Sequence, residues 1–292
     1  MKYILYNPLC GNDGVNEKLS LIKEIVSDEA EFLDMTKIES YESFFASLSA
    51  DDSIVIGGGD GTLNRFVNDT ADIDIKNEIL YIALGTGNDF LRDIDGASSN
   101  PVFVINKYLE NLPSVTVNGK SYKFLNNVGF GIDGYCCEVG DKMKAEGKTN
   151  INYSSIAIKG LLFHFKPANA KVTVDGVTRE YKKVWIAPTM NGRYYGGGMM
   201  PTPSQDRLSE DGELSIMIWH SSGKLKTLMA FPSLFKGEHI SKTKMIDILK
   251  GHTITVEFDR PCALQIDGET ILGVTSYTAT KQGVRVKEEA NL

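Results

Sequence analysis

Ile54-Val55-Ile56-Gly57-Gly58-Gly59-Asp60-Gly61-Thr62-Leu63-Asn64 is the stretch whose reading decides the fold. Three β-branched residues in a row read as a buried parallel strand, and glycines follow where a helix should begin. Gly57, Gly58, Gly59 and Gly61 have no Cβ, so their backbone N–H groups can approach a phosphoryl oxygen. The helix behind them, marked by Leu63, Phe66 and Val67, aims its partly positive N-terminus at the same spot. The plainer alternative is a flexible turn after a strand. The acid at Asp60 and the hydroxyl at Thr62 favour a phosphate cradle.

Outward from this loop the pattern repeats. Residues 2–6 read as a strand broken at Asn7-Pro8, and Leu19, Ile22 and Val26 then recur at helical spacing. Phe32 and Leu33 begin a second strand ending near Met35-Thr36, and Phe44, Phe45 and Leu48 line a second helix. Ser53–Ile56 is the third strand. Ile79–Leu84 is a fourth, running into Gly85-Thr86-Gly87-Asn88-Asp89-Phe90, with Leu91 and Ile94 on a short helix. Successive β-α units predict a parallel sheet with right-handed crossovers, whose ligands bind beyond the carboxyl ends of its strands. The loops at 7–11, 36, 57–64 and 85–89 share that edge, so one nucleotide can touch all of them.

From about Val115 the character changes. Ser114–Val117, Tyr122–Val128, Ala170–Val174, Lys183–Met190, Leu214–Trp219, Thr253–Phe258 and Ala263–Ile266 are β-rich and divided by Gly and Asp-Gly turns. They predict a second, mostly antiparallel domain. Tyr135–Lys144 with Ile151–Phe165, and Lys224–Phe235, read as helical insertions; most of their apolar residues are expected in the core with a few left exposed, the alternative being that Ile151–Phe165 and Leu225–Phe235, followed by Lys236, Lys242 and Lys244, dock a membrane surface. The expected division is 1–115 and 116–282, with a last strand at Gly283–Lys287 that returns 283–292 to the first domain.

Composition narrows the function. A chain of 292 residues, 42% hydrophobic, has material for two cores. With 31 Lys plus Arg against 38 Asp plus Glu, the net charge of −7 disfavours a nucleic-acid binder and general attraction to anionic membranes. Only local basic patches would serve that end. Cys10, Cys136, Cys137 and Cys262 lack metal or redox spacing, so reduced, cytoplasmic thiols are expected. No stretch reads as a signal peptide or an apolar span, which predicts a soluble protein, and the sequon Asn152-Tyr153-Ser154 reads as chance. The Gly-Lys pairs lack the upstream glycine of a Walker loop, and no His-Glu-x-x-His or Gly-x-Ser-x-Gly motif occurs.

Asn7-Pro8 with Gly11, Gly58-Gly59-Asp60-Gly61-Thr62-Leu63-Asn64, Gly85-Thr86-Gly87-Asn88-Asp89-Phe90 with Arg92, Asn127-Val128-Gly129-Phe130-Gly131, Gly196-Gly197-Gly198-Met199 with Pro201, Asp211-Gly212 and Asp267-Gly268-Glu269 follow in that order. The set resembles the diacylglycerol kinase catalytic-domain family, in particular its soluble bacterial lipid kinases, over essentially the whole chain. Gly-Gly-Asp-Gly-Thr is shared with NAD kinases, whereas the later blocks at these spacings are specific to the lipid kinases.

The resemblance implies an α/β nucleotide-binding domain followed by a mostly antiparallel β-sandwich, and a phosphoryl transfer from ATP, with Mg2+, to the hydroxyl of diacylglycerol or a related lipid. ATP would lie over Asn7, Pro8 and Leu9, Thr36, Gly59, Asp60, Gly61, Thr62, Leu63, Asn64 and Arg65, with Thr86 and Asp89 beyond. Asp60 would organise the catalytic magnesium, helped through water by Asp89; alternatively it caps the helix that follows. Glu269 would take the proton of the lipid hydroxyl, and Asp267-Gly268 also reads as a hairpin turn. Asp211 with the carbonyls of Leu208 and Glu213 would hold a structural magnesium, a hairpin turn again being the alternative. Arg92 would pair with an acid or a phosphate, or lie in a surface ion pair.

The implied partner is lipid at a membrane surface met transiently, without nucleic acid, and a homodimer is allowed. Arg65, where the family often has Glu or Gln, and Asn12, where a basic residue is common, depart from the pattern. The rivals are an NAD kinase-like enzyme and a non-catalytic nucleotide or lipid sensor of the same fold.

Overall fold

The computed structural model describes residues 1–8, 15–26, 30–95, 102–148 and 151–283. Leu9, Cys10, Gly11 and Asn12 lie outside them, as does the expected last strand beyond its first residue.

The first half alternates strand and helix as β1 (Lys2–Tyr6), α1 (Val15–Ile25), β2 (Ala30–Asp34), α2 (Tyr41–Ala46), β3 (Ser53–Gly58), α3 (Asp60–Asp69), β4 (Glu78–Ala83) and α4 (Asp89–Asp95). The strands pair in the order β2-β1-β3-β4, all parallel. A two-residue strand, β5 (Phe103–Val104), adds antiparallel to β4, and one helical turn, α5 (Asn106–Leu109), follows; the sequence pattern anticipates neither. Both faces of β3 are covered, which is why Ile54, Val55 and Ile56 are fully buried. Ile54 and Ile56 share a core with Leu63, Phe66 and Phe90, while Val55 faces Ile4 and Ile22 on the other side. Because the four long strands are parallel, the loops after them gather at one edge.

The second half runs β6 (Ser114–Val117), β7 (Lys120–Lys123), β8 (Asn127–Gly131), α6 (Ile132–Ala145), α7 (Tyr153–Lys159) with a π turn at 160–164, β9 (Ala168–Val174), β10 (Val177–Val184) and β11 (Ile186–Met190). Then come β12 (Leu214–Trp219), α8 (Lys224–Ala230), β13 (Ile246–Gly251), β14 (Thr253–Ile266) and β15 (Glu269–Thr280). These strands form one antiparallel sheet in the order β13-β12-β11-β8-β14-β15-β6-β7, with β9 on β14 and β10 on β9. β14 turns the sheet over. Its residues 254–258 pair with β9, whereas 264–266 pair with β8, with register shifts between. Residues of β9 and β10 therefore share one core with β8, β11 and β12, centred on Phe130, which stacks 4.6 Å from Phe258.

Several expected strands resolve differently. Tyr122–Val128 is two strands, because the chain breaks at Phe124–Asn126. Lys183–Met190 is divided between β10 and β11, with Lys183 at φ 53°. Thr253–Phe258 and Ala263–Ile266 are one continuous strand. In the helical insertions Ile156, Leu161 and Phe165 are core residues beside Trp185 and Trp219, as expected, but Phe163 and Met229 are 71% and 68% exposed.

Buried charge joins the two sheets. Asp93, at the end of α4, accepts hydrogen bonds from Arg193 Nε at 2.7 Å and Arg207 Nε at 2.5 Å. Arg207 also reaches the Asn126 Oδ1 at 3.0 Å and lies over the Phe90 ring. Asp69, in contrast, pairs with Arg65 in solvent. Asp93→Ala is expected to cost about 3–5 kcal/mol in urea unfolding, because it strands a buried guanidinium. Asp69→Ala should cost under about 1 kcal/mol. Equal losses would contradict this account of the interface.

Candidate active site

Two loops cross at the carboxyl edge of the parallel sheet. A Cβ on Gly85 would lie 2.8 Å from the Gly59 Cα, so the backbones after β3 and β4 touch where no side chain fits. Asp60 secures the crossing. Its Oδ2 accepts the N–H of Asp89 and its Oδ1 the N–H of Phe90, each at 2.9 Å. The helix-cap reading of Asp60 is thus corrected: the N-cap of α3 is Gly59, and the Asp60 carboxylate caps α4 instead.

Asp89 carries the contact into the second half of the chain. It is 4% exposed, and its Oδ2 accepts the N–H of Gly197 at 2.7 Å. Gly196, Gly197 and Gly198 all have positive φ, a backbone that brings this amide inward at no steric cost. Burial pushes the Asp89 carboxyl up to about 6, the Asp60 charge adding to the rise against the amides of Gly197 and Gly198. Arg92 lies 3.8 Å from Asp89 Oδ1 and 5.8 Å from the Tyr194 ring, so its partner is an acid. A Cβ at Gly87 would sit 3.6 Å from both the Asp60 and Asp89 carboxylates.

The crossing leaves oxygens unsatisfied. Thr62 Oγ1, Asn88 Oδ1 and Asp89 Oδ1 are buried without a hydrogen-bond partner. Asp89 Oδ1 faces the Arg92 guanidinium at 3.8 Å, which leaves Thr62 Oγ1 and Asn88 Oδ1 as the two that a water, an ion or a phosphate would satisfy. Carboxylate and amide oxygens suit magnesium, the Thr62 hydroxyl can donate to a phosphate oxygen, and the first N–H groups of α3 suit a phosphate. Among the described residues no three His, Cys, Asp or Glu side chains converge as a metal-binding group.

The other expected residues divide by direction. Asn7 and Pro8 follow β1, Thr36 follows β2, and Gly61 and Thr86 are exposed at the same edge. Thr36 is fixed there by Asp34, whose Oδ1 accepts its N–H at 2.9 Å and its hydroxyl at 2.6 Å. Leu63, Asn64 and Arg65 turn their side chains elsewhere as α3 rotates. Leu63 is fully buried in the core, Asn64 donates to Asp267 Oδ2 at 2.8 Å, and Arg65 pairs with Asp69 on the outer surface.

Asp267 and Gly268, at φ 46° and 95°, make the two-residue hairpin between β14 and β15, and Glu269 is exposed at its end. Asp267 does more than turn the chain. Its carboxylate also accepts the N–H groups of Leu125, Asn126 and Asn127 at 2.5, 2.8 and 2.9 Å, locking the hairpin to α3 through Asn64. Sequence reading misses this role, because the signal for a turn conceals the carboxylate's second use. Asp211 Oδ1 accepts from Ser209 and from the Glu213 N–H, and the Glu213 carbonyl accepts from Gln205, so that loop closes on itself; Leu208 is exposed beside it.

Behind the hairpin, Gln265 accepts the Gly268 N–H at 3.0 Å and donates to Asp133 Oδ2 at 3.3 Å. Burial pushes the Asp133 carboxyl up to about 6. Between roughly pH 4 and 6 the folded chain holds a proton that the unfolded chain has released, so this group's contribution to stability falls as pH rises through that window. Asp133→Asn is therefore expected to be up to about 3 kcal/mol more stable than the parent near pH 8, with no gain below about pH 4. Urea unfolding at both pH values checks it; a gain independent of pH would contradict it.

Residues 2–116 match the family described as diacylglycerol kinase catalytic domain, and residues 126–284 the YegS C-terminal NAD kinase beta sandwich-like domain. A diacylglycerol kinase of Mycobacterium tuberculosis is 27% identical over 213 residues, 70% of this chain and 67% of that protein. A diacylglycerol kinase of Bacillus subtilis is 25% identical over 281 residues, 91% and 88% of the two chains. The crystal structure of a diacylglycerol kinase from Bacillus anthracis superposes with a TM-score of 0.62 at 22% identity, covering 97% of this chain and 94% of that one, which shows the shared fold.

Proposed function

Because the chain belongs to the diacylglycerol kinase family, with a catalytic domain followed by a YegS-type second domain, we propose that it transfers the γ-phosphate of ATP, with magnesium, to a hydroxyl of diacylglycerol or a related lipid. The observation behind this reading is the pair of carboxylates, Asp60 and Asp89, set against the amide of Gly197 with Thr62 Oγ1 and Asn88 Oδ1 unpaired beside them. Bound magnesium neutralises charge on the β- and γ-oxygens. Asp60 and Asp89 are the residues that would hold it.

The chain's own residues do the rest. The amides at Gly59, Asp60 and Gly61 open α3 and bind phosphate, while Thr62 Oγ1 offers a donor to it. Asn7, Pro8 and Thr36 border the nucleotide along the same edge. Glu269 projects from the hairpin that Asp267 ties to α3, and takes the proton of the acceptor hydroxyl as it attacks. The Gly196–Gly198 loop covers Asp89 and keeps water from competing as acceptor. Asp211, through the carboxylate oxygen that Ser209 and the Glu213 N–H leave free, and the carbonyls of Leu208 and Glu213 would form a separate structural magnesium position. Among the described residues no helix is long and apolar enough to cross a membrane, and the proposed setting is the cytoplasm with peripheral access to lipid.

Incubation of the purified protein with labelled ATP and mixed micelles of diacylglycerol, phosphatidylglycerol, ceramide and a sphingoid base is expected to label diacylglycerol or a close analogue. Asp60→Asn, which keeps one cap oxygen, should lower kcat by about 100- to 1,000-fold while the protein stays folded. Glu269→Gln should lower kcat about 100-fold or more with ATP affinity unchanged. Transfer to NAD alone would replace the reading with an NAD kinase, and ATP binding without turnover on any acceptor would replace it with a sensor.

A further inference from the structure

A set of apolar side chains on the second domain lies outside both cores. Phe163 is 71% exposed, Met229 68%, Leu225 66% and Ile158 48%. The π turn that carries Phe163 and the helix that carries Leu225 and Met229 lie side by side, and Ile158 is on the helix that runs into that turn. Lys224 Nζ donates to the Leu162 carbonyl at 2.9 Å, which sets the start of α8 beside the π turn, and Leu161, Phe165, Leu228 and Phe231 pack together underneath. On α8, Leu225 and Met229 are four residues apart and so face the same way, while Thr227 and Ala230 face the core.

The charge around these side chains opposes that of the whole protein. The segments 153–166 and 223–244 contain seven lysines and one acid, Glu238, in a chain whose net charge is −7. Lys159, Lys224, Lys226 and Lys236, in the same segments as the apolar tips, are exposed. A protein partner with an apolar groove would bury such lysines at a cost, whereas an anionic bilayer attracts their ammonium groups and admits the apolar tips between headgroups.

The position relative to the active site is also fixed. Met200 N donates to the Leu234 carbonyl at 2.9 Å, joining the 3-10 turn after α8 to the loop whose Gly197 amide holds Asp89. A short run of chain therefore connects this surface to the catalytic carboxylates.

We propose that Ile158, Phe163, Leu225 and Met229, with the lysines around them, form the face that docks on an anionic membrane and presents the second domain's side of the cleft to lipid. The proposal rests on the lipid-kinase reading for its purpose, and its test is read without ATP or turnover. The full-length protein is sedimented with phosphatidylcholine vesicles, with and without phosphatidylglycerol, at low and high salt. Binding is expected to the phosphatidylglycerol vesicles, weakening with salt. Leu225→Ser with Met229→Ser, and separately Phe163→Ser, should each weaken it about tenfold or more, with unchanged thermal melting and unchanged phosphorylation of a water-dispersed short-chain diacylglycerol.

Variants that bind vesicles as tightly as the parent would overturn the proposal, as would a parent that binds neutral and anionic vesicles alike. Variants that split a dimer by light scattering while keeping vesicle binding would overturn it in favour of a second copy of the chain. Vesicle binding lost in the variants, with no acceptor phosphorylated by the parent, would uphold the surface and remove the kinase reading.

Discussion

The Asp60 carboxylate is the fastener on which the site depends. By accepting the first two N–H groups of α4, it converts two glycine-rich loops, each with little stiffness of its own, into one surface. The same bonds aim Asp89 away from solvent, where the Gly197 amide meets it. An acid that opens one helix and caps the next holds the positive ends of both at a single point, which is the electrostatic setting a polyphosphate requires.

The join between the two sheets follows the same logic of buried polar contacts. Asp93 is shared by Arg193 and Arg207, Asp267 by Asn64 and three backbone amides, and Asp89 by Gly197. Each is directional, so the interface is set in angle as well as distance. A purely apolar joint would bury area without fixing where the β14–β15 hairpin and Glu269 stand relative to α3. The cost is desolvation, visible in the raised carboxyls of Asp89 and Asp267.

The first sheet was legible because its buried strands are apolar runs and its helices repeat every three to four residues, so Ile54–Ile56 and Leu63, Phe66 and Val67 announce themselves. The second was legible only where strands are buried. β10 exposes most of its charged residues, β13 is an edge strand, and Gly273 at φ 71° interrupts β15; none of them alternates clearly. At the site, the glycines, Asp60 and Asp89 were readable from local chemistry. The pairings of Asp93 with Arg193 and Arg207, and of Asn64 with Asp267, were not. They join residues a hundred or more positions apart, and a single sequence carries no local signal of such contacts. Leu63, Asn64 and Arg65 stand in the loop motif, yet the helical turn sends their side chains to a core, a neighbouring domain and solvent.

The most direct test is a crystal structure of the protein with magnesium and a non-hydrolysable ATP analogue. The β- and γ-phosphates are expected against the amides that open α3, with metal density between them and the Asp60 and Asp89 carboxylates. A triphosphate bound away from the Gly59–Gly85 crossing, or a metal that leaves Asp60 and Asp89 untouched, would contradict this arrangement.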